Sequence, residues 1–258
     1  MKSELVVKRI TQWLRDYSEL SNTGGYVIGI SGGIDSAVTS TLCALTGKRV
    51  LALNMPIRQI KHEYHRSIEH IEWLKSRFKN VEAETVDLTP ALEALEKTFP
   101  HNIQDFLTMA NTRARLRMLT LYAFATRHKL LVAGTGNKVE DFGVGFFTKY
   151  GDGGVDVSPI ADLNKSQIYE LGATLGVSDS IQKAKPTDGL FEDGRTDEDQ
   201  LGASYPELEW AMQYIESGDT QELTTRQKHV LEIYNTRHRA NLHKMVPVPV
   251  CKIPGELK

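Results

Sequence analysis

A short apolar run near the N-terminus ends in a serine–glycine–glycine turn, and a segment with a helical pattern follows it. The run covers residues 26–30 (YVIGI), the turn is Ser31-Gly32-Gly33, and the helical segment begins at Asp35. Glycines let the backbone approach a ligand closely, and N–H groups at a helix N-terminus attract anions. The segment therefore predicts a strand, a phosphate-binding loop and a helix, which together form one unit of an α/β protein.

The loop differs from a Walker A loop, which ends in Gly-Lys followed by Ser or Thr. Asp35 puts a carboxylate beside the expected phosphate, and this arrangement calls for a cation such as Mg²⁺ between them. An ordinary glycine-rich turn is the alternative, but the six-residue segment 31–36 matches the SGGxDS loop of the ATP pyrophosphatases at every specified position. That resemblance implies ATP contacts at Gly29, Ile30, Ser31, Gly32, Gly33, Ile34, Asp35 and Ser36.

Strand candidates alternate with helical patterns along most of the chain. The strand candidates are 26–30, 50–54, 81–86 and 130–133. Helical patterns occur at 3–20, 35–46, 61–79, 102–128, 165–175 and about 222–242. Such alternation predicts an α/β, doubly wound fold with a mostly parallel sheet and helices on both faces. Ligands of these sheets bind beyond the carboxyl ends of the strands, where the Ser31 turn and a second glycine turn at 134–137 both fall.

Length and charge limit the class of protein. At 258 residues the chain fits a single domain spanning 1–258, and a formal net charge of −2 argues against nucleic acid as the main partner. No apolar run reaches the roughly 18 residues of a membrane span, so we expect no membrane partner and a cytoplasmic location. The segment at about 185–202 is acidic with few apolar residues. It is predicted to be a mobile, solvated loop.

Further segments extend the resemblance beyond the first loop. They are NTRARLRM at 111–118, GTGNKVE at 134–140, GFFTKYGDGG at 145–154 with Asp156 after it, 159–165, Lys185-Pro186-Thr187 and His243-Lys244. Together they resemble the NAD synthetases, in the stand-alone ammonia-dependent form, from about residue 5 to the C-terminus. The resemblance implies an ATP pyrophosphatase fold that joins ammonia to deamido-NAD through an acyl-adenylate, releasing pyrophosphate and AMP.

The same resemblance implies roles for individual residues and a homodimer. Asp35 and Lys165 are the expected catalytic residues, and Asp35 with Glu140 is the expected Mg²⁺ site. ATP is expected at Thr135, Lys165 and Thr187 in addition to the first loop. The residues expected to contact deamido-NAD are Arg115, Lys149, Asp156, His243 and Lys244.

Several alternatives stay open at this level. The chain has one more residue between Glu140 and the GFFTK block than the family pattern, which makes Asp141 a rival metal ligand. Lys165 could instead be a solvated lysine in the first turn of its helix. Arg113 and Arg117 share one face of a predicted helix, and Arg115 lies on the other. The alternative for these three arginines is that all of them are solvated.

Two other functions compete with NAD synthesis. One is a different amidating or thiolating pyrophosphatase, such as a GMP synthetase core or a tRNA-modifying enzyme. A tRNA-modifying enzyme would need a basic surface or zinc-ligating cysteines, but this chain has only two cysteines. The other is a nucleotide-binding regulatory module without chemistry, which would not need Asp35, Glu140, Lys165 and Thr187 together.

Overall fold

The computed structural model describes residues 1–187, 196–218 and 220–258. The strands are β1 (Gly25–Gly29), β2 (Arg49–Asn54), β3 (Val81–Thr85) and β4 (Leu131–Val132). The α-helices are α1 (Ser3–Leu20), α2 (Ile34–Leu45), α3 (Lys61–Arg77), α4 (Thr89–Thr98), α5 (Phe106–His128), α6 (Lys165–Leu175), α7 (Asp179–Gln182), α8 (Asp197–Leu201), α9 (Tyr205–Ser217) and α10 (Thr225–Met245). A π-helix covers Val139–Val144, and short 3-10 helices cover His101–Ile103 and Gly255–Leu257.

The four strands form one parallel sheet in the order β3-β2-β1-β4. Tyr26 of β1 is paired with Val50 of β2 on one side and with Leu131 of β4 on the other. The carboxyl ends of β1 and β4 therefore lie side by side, and each leads into one of the two glycine turns. The strands predicted from sequence are confirmed with small shifts in their ends.

Helices cover both faces of the sheet, as the doubly wound prediction requires. Tyr26 and Ile28 of β1 are fully buried in a cluster that also contains residues of α1, α2, α3 and α6. Val27, between them, points to the opposite face and packs with Leu92 of α4 and Met109 of α5. Full burial of an aliphatic side chain of this size contributes about 1.5–3 kcal/mol. Alternation along β1 therefore fixes both layers.

A third apolar cluster lies beside the sheet and holds the segment after β4. Val139 and Val144 of the π-helix pack against Leu208 of α9 and against Val230 and Tyr234 of α10. The sequence analysis did not predict α9. Its signal was present, because Ser204 and Glu207 form a capping box at its start and buried residues follow at helical spacing.

Within the described residues no helix is both long enough and apolar enough to cross a membrane. The predicted loop at about 185–202 falls partly on 188–195, which lie outside the described residues. On its described flanks, Lys185–Thr187 have no regular secondary structure and α8 begins at Asp197. Asp197 is only 5% exposed, so this acidic side chain belongs to the interior.

Candidate active site

A cleft of about 250 Å³ opens at the carboxyl ends of the strands. It lies between the loop after β1, the segment after β4, the start of α6 and residues 184–187. The residues predicted to contact ATP and the metal lie together here. Gly32 is the exception, since it does not line the cleft. The lining includes Gly29, Ile30, Ser31, Gly33, Ile34, Asp35, Ser36, Thr135, Glu140, Lys165 and Thr187.

The loop after β1 is held in shape by its two serines. Ser36 Oγ lies 3.0 Å from Ser31 Oγ and 3.3 Å from the backbone N of Ser31, and it donates to the carbonyl oxygen of Gly33 at 3.0 Å. Gly32 has φ +84°, and a Cβ there would meet backbone atoms of Glu63 and Ser67. Glycine is thus required at Gly32, both by its backbone conformation and by the closeness of α3.

Lys165 occupies the centre of the site. Its Nζ lies 2.5 Å from Asp35 Oδ2 and 3.3 Å from Glu140 Oε1, and the residue is 3% exposed. Burial alone would lower the pKa of Lys165, but the carboxylates of Asp35, Glu140 and Asp197 outweigh it and raise the pKa. The alternative of a solvated first-turn lysine is therefore wrong, because this side chain is the buried counter-ion of two carboxylates.

Three further residues complete this cluster, and the sequence analysis missed them. Asn137 is fully buried, donates to Asp35 Oδ1 at 3.4 Å and accepts a bond from the backbone N of Glu140 at 3.1 Å. The Tyr205 hydroxyl lies 2.5 Å from Glu140 Oε1 and 3.0 Å from Asp197 Oδ2. Its ring centroid is 4.7 Å from Lys165 Nζ. The position of Asn137, between Thr135 and Glu140, was the available signal.

A π-helix covers Val139–Val144, the segment in which the sequence indicated one residue more than the family pattern. A π-helical turn contains more residues than an α-helical turn, which is consistent with that extra residue. It also turns two neighbouring carboxylates in different directions. Glu140 faces Lys165 and Asp35, whereas Asp141 lies against Gly136, where a Cβ would collide with its carboxylate. This orientation supports Glu140 over Asp141 as the partner of Asp35.

We expect Glu140→Gln to lower turnover by about 10²-fold or more and Asp141→Asn to be mild. The glutamine keeps the size of the side chain but removes the charge that faces Asp35 and Lys165. Steady-state rates over a range of Mg²⁺ concentrations for the two variants provide the measurement. If Asp141→Asn is the crippling change, the family alignment across the π-helix is wrong by one residue.

Asp141 also predicts a pH dependence of stability. Burial, reinforced by Glu140, Asp152 and Asp35, raises its pKa from the ordinary 3.8 to about 8. A carboxyl whose pKa is higher in the folded state loses folded-state stability as pH rises from its unfolded to its folded pKa. The unfolding temperature of Asp141→Asn should therefore match that of the parent chain near pH 4 and exceed it increasingly toward pH 8. Parallel melting curves across that range would contradict the assignment.

The donor set suits a hard divalent cation. Asp35 and Glu140 present carboxylate oxygens on either side of one ammonium group, and Mg²⁺ prefers oxygen ligands, usually one or two carboxylates plus phosphate. Among the described residues no group of three or more His, Cys, Asp and Glu is arranged to hold a metal. A metal bound here would therefore need oxygens from a phosphate ligand in addition to Asp35 and Glu140.

Four residues predicted to contact deamido-NAD lie in or against the glycine-rich loop at 145–154, outside the cleft lining. Arg115 lies 3.4 Å from the carbonyl oxygen of Lys149, and Lys149 Nζ donates to the carbonyl oxygen of His243 at 2.6 Å. Lys244 Nζ donates to the carbonyl oxygens of Gly145 and Phe147. Burial lowers the pKa of Lys244. These contacts tie the end of α10 to the glycine-rich loop.

Asp156 and the arginines of α5 are the other residues for which the sequence suggested a role. Asp156 accepts bonds from the backbone N of Val132 at 2.8 Å and from the Tyr122 hydroxyl at 3.0 Å, beside the end of β4. Arg113 is buried, Arg115 is exposed, and Arg117 lines the cleft while donating to the carbonyl oxygen of Met55. The predicted separation of Arg115 from the other two is confirmed.

Comparisons with known proteins agree with this geometry. A family model described as NAD synthase matches residues 6–247. The NH(3)-dependent NAD(+) synthetase of Methanosarcina acetivorans is 37% identical over 259 residues, covering 97% of this chain and 98% of that protein.

Solved structures of synthetases are also similar to this chain. The NMN synthetase of Francisella tularensis has 34% identity and a TM-score of 0.83, with 99% of both chains covered. The NH3-dependent NAD synthetase of Campylobacter jejuni, solved with the nitrate ion, has 26% identity and a TM-score of 0.80, covering 98% of this chain and 100% of that one. The α/β fold predicted from sequence is therefore confirmed, and the chain belongs to the NAD synthase family.

Proposed function

We propose that this chain catalyses the ATP-dependent amidation of deamido-NAD with ammonia, giving NAD, AMP and pyrophosphate. The observation that carries the proposal is the buried Asp35–Lys165–Glu140 cluster beside a phosphate-type loop, at the carboxyl edge of the sheet. A regulatory module that only binds a nucleotide has no need for a buried lysine between two carboxylates.

The proposed reaction has two steps. A carboxylate oxygen of deamido-NAD attacks the α-phosphorus of ATP, and the bond to the bridging oxygen breaks as pyrophosphate leaves. Ammonia then attacks the activated carbonyl carbon, loses a proton, and displaces AMP. No covalent bond to the enzyme forms, so the chain contributes positioning and charge stabilisation. The N–H groups at the start of α2 bind phosphate, and Lys165 stabilises negative charge that develops on it.

Mg²⁺ is part of this proposal, with Asp35 and Glu140 as its ligands from the chain. When bound, it supplies Lewis-acid neutralisation of the phosphate oxygens. The ammonium group of Lys165 contacts both carboxylates and orients them toward one point of the cleft. The same two residues thus serve as partners of a lysine and as donors for a metal.

A single assay tests the function. The purified chain is supplied with ATP, Mg²⁺, ammonium and deamido-NAD, and NAD, AMP and pyrophosphate are quantified. The proposal requires all three products in equal amounts and none without ammonium. AMP and pyrophosphate formed without NAD would reduce the chain to an adenylating enzyme with another acceptor, and no products at all would reject the proposal.

A second candidate substrate is the corresponding mononucleotide. The observation that favours it is the likeness to the NMN synthetase of Francisella tularensis, at 34% identity over 99% of this chain. Both substrates carry the same nicotinate carboxylate, so the chemistry at the α-phosphorus is unchanged. The ratio of kcat/KM for deamido-NAD to that for deamido-NMN decides between them, and a ratio below one would favour the mononucleotide.

We expect Arg115 to contribute to the binding of deamido-NAD and not to the binding of ATP. We expect Arg115→Ala to weaken deamido-NAD binding by about 10-fold or more, on the scale of one lost charged contact, and to leave ATP binding nearly unchanged. Arg115 is exposed outside the cleft lining and lies against Lys149 of the glycine-rich loop. Titrating each ligand alone gives the comparison. Equal losses for both ligands, or a loss confined to ATP, would contradict this role.

We further propose that the chain folds as a single domain spanning 1–258 and that two copies form a homodimer. The proposed location is the cytoplasm. The exposed apolar side chains of α5 support the dimer. Phe106, Leu107 and Leu119 are 54%, 64% and 63% exposed on the same helix as Arg115. Exposed apolar side chains of this size are often covered when a protein assembles. Light scattering after size exclusion measures the mass directly, and a mass of 28.9 kDa would contradict the dimer.

A further inference from the structure

Arg66 on α3 is a cation of the cleft to which the family resemblance assigns no role. It lines the cleft together with Ser31, Gly33 and Asp35. Its Nε donates to the carbonyl oxygen of Gly32 at 3.2 Å, and its Cβ lies 3.2 Å from the place that a Cβ on that glycine would occupy. Arg66 is therefore fixed at the back of the phosphate-type loop, with its guanidinium group at the loop itself.

Arg66 and Lys165 carry the same charge, but they differ in the carboxylates that surround them. Lys165 contacts two carboxylates, so its charge is already compensated. Arg66 has no carboxylate within ion-pair distance in the described part of the chain, and the bond to Gly32 uses only one of its donors. A guanidinium carries five N–H donors in a planar fork that matches two oxygens of a phosphate.

The loop after β1 has no cationic side chain of its own to bind phosphate. A Walker A loop supplies its own lysine, whereas this loop continues into α2 with the acidic residue Asp35. The net charge of the Asp35–Lys165–Glu140 cluster is negative when all three groups are ionised. One Mg²⁺ at Asp35 and Glu140 offsets only part of the charge of a triphosphate, so a further cation at the loop is favourable, and Arg66 is in place there.

We propose that Arg66 binds the β- and γ-phosphates of ATP and holds the pyrophosphate that leaves. This inference rests on the proposed function. As the nicotinate oxygen bonds to the α-phosphorus, the bond from that phosphorus to the bridging oxygen breaks, and the electron pair departs with pyrophosphate. No proton is transferred in this step. The guanidinium offsets the charge that accumulates on the leaving group, so Arg66 acts as a catalytic residue of adenylation.

Direct titration of ligands onto the full chain with Mg²⁺ present tests the proposal without turnover. We expect Arg66→Gln to weaken inorganic pyrophosphate and ATP by about 10-fold to 100-fold, the scale of one charge-assisted contact. AMP has no β- or γ-phosphate, so its affinity should not change. Arg66→Lys should recover part of the loss, because it restores the charge without the fork.

Lys61→Gln is the matched control. Lys61 is exposed and is the first residue of the same helix, and its substitution by glutamine removes the same charge as Arg66→Gln. It should leave all three affinities as they are. Equal weakening of AMP, ATP and pyrophosphate by Arg66→Gln would mean that Arg66 only shapes the loop, and the proposal would fall.

Deamido-NAD also carries a diphosphate and is the other possible source of this ligand chemistry. If Arg66→Gln weakens deamido-NAD while pyrophosphate binding is unchanged, Arg66 serves the dinucleotide and the proposal is wrong. Because every readout is a binding constant, a chain that makes no NAD would reject the proposed function alone. Unchanged pyrophosphate binding in an active enzyme would reject the role of Arg66 alone.

Discussion

An Asp35→Asn variant is expected to fold normally and to lose Mg²⁺-dependent turnover by about 10²–10³-fold. Asp35 Oδ2 lies 2.5 Å from Lys165 Nζ, and Oδ1 accepts a bond from Asn137 at 3.4 Å. The amide has the size of the carboxyl group, and its one oxygen can still accept from one of the two neighbours, so we expect packing to be kept. What it lacks is the negative charge that lets a cation lie between this side chain and phosphate.

The measurement is the rate of pyrophosphate release as Mg²⁺ is titrated, with thermal unfolding recorded in parallel. Asp162→Asn serves as the control, since Asp162 is exposed and lies just before α6. The control should keep both the rate and the Mg²⁺ midpoint. Near-normal turnover of Asp35→Asn with unchanged metal dependence would remove Asp35 from the metal site.

Periodicity was enough to predict the layers of this fold, and it failed where tertiary contacts decide. The strand at β1 alternates between two apolar faces, so its burial on both sides follows from the sequence. In β4 only Leu131–Val132 form ladder pairs, and its length is set by its neighbours. The π-helix at Val139–Val144 was not predicted, because its residues are held by packing against α9 and α10.

The site divides in the same way. The loop from Gly29 to Ser36 is contiguous, so the resemblance could indicate it as one segment, and every residue of it except Gly32 lines the cleft. Tyr205 is 65 residues from Glu140, and Arg66 is 34 residues from Gly32. Contacts of this kind arise from how α3 packs on the sheet and α9 packs on the π-helix, and no local pattern encodes them. Lys165 was predicted as a site residue by resemblance alone, since its helical position also suited a solvated lysine.

Lys165→Met is expected to lose activity and stability together. Removing one partner of a buried charge cluster leaves the others uncompensated, which costs about 3–5 kcal/mol of unfolding free energy. The side chains of Asp35 and Glu140 are 17% and 15% exposed, so water compensates them only partly. Turnover should fall by about 10²-fold or more, because the same ammonium stabilises charge on phosphate.

Lys138→Met is the control for the loss of a lysine. Lys138 Nζ pairs with Glu216 at 3.0 Å, and the Glu216 side chain is 53% exposed. Pairs at the surface contribute about 0–1 kcal/mol. This variant should therefore unfold at nearly the same urea concentration as the parent chain. A comparable destabilisation in both variants would mean that the burial of Lys165 has no special energetic role.

The stability deficit of Lys165→Met should grow with pH, and Mg²⁺ should reduce it. Burial and the charge of Asp35 raise the pKa of Glu140 above the ordinary 4.5, while Lys165 opposes that rise. Without the ammonium the pKa rises further, so the folded state loses stability as pH increases from about 4.5 through the raised value. Urea unfolding at about pH 5 and about pH 8 should show the smaller deficit at the lower pH. A divalent cation between the two carboxylates would replace the missing charge, so Mg²⁺ should raise the unfolding temperature of the variant more than that of the parent chain. A deficit independent of both pH and Mg²⁺ would show that Lys165 stabilises the fold by packing rather than by charge.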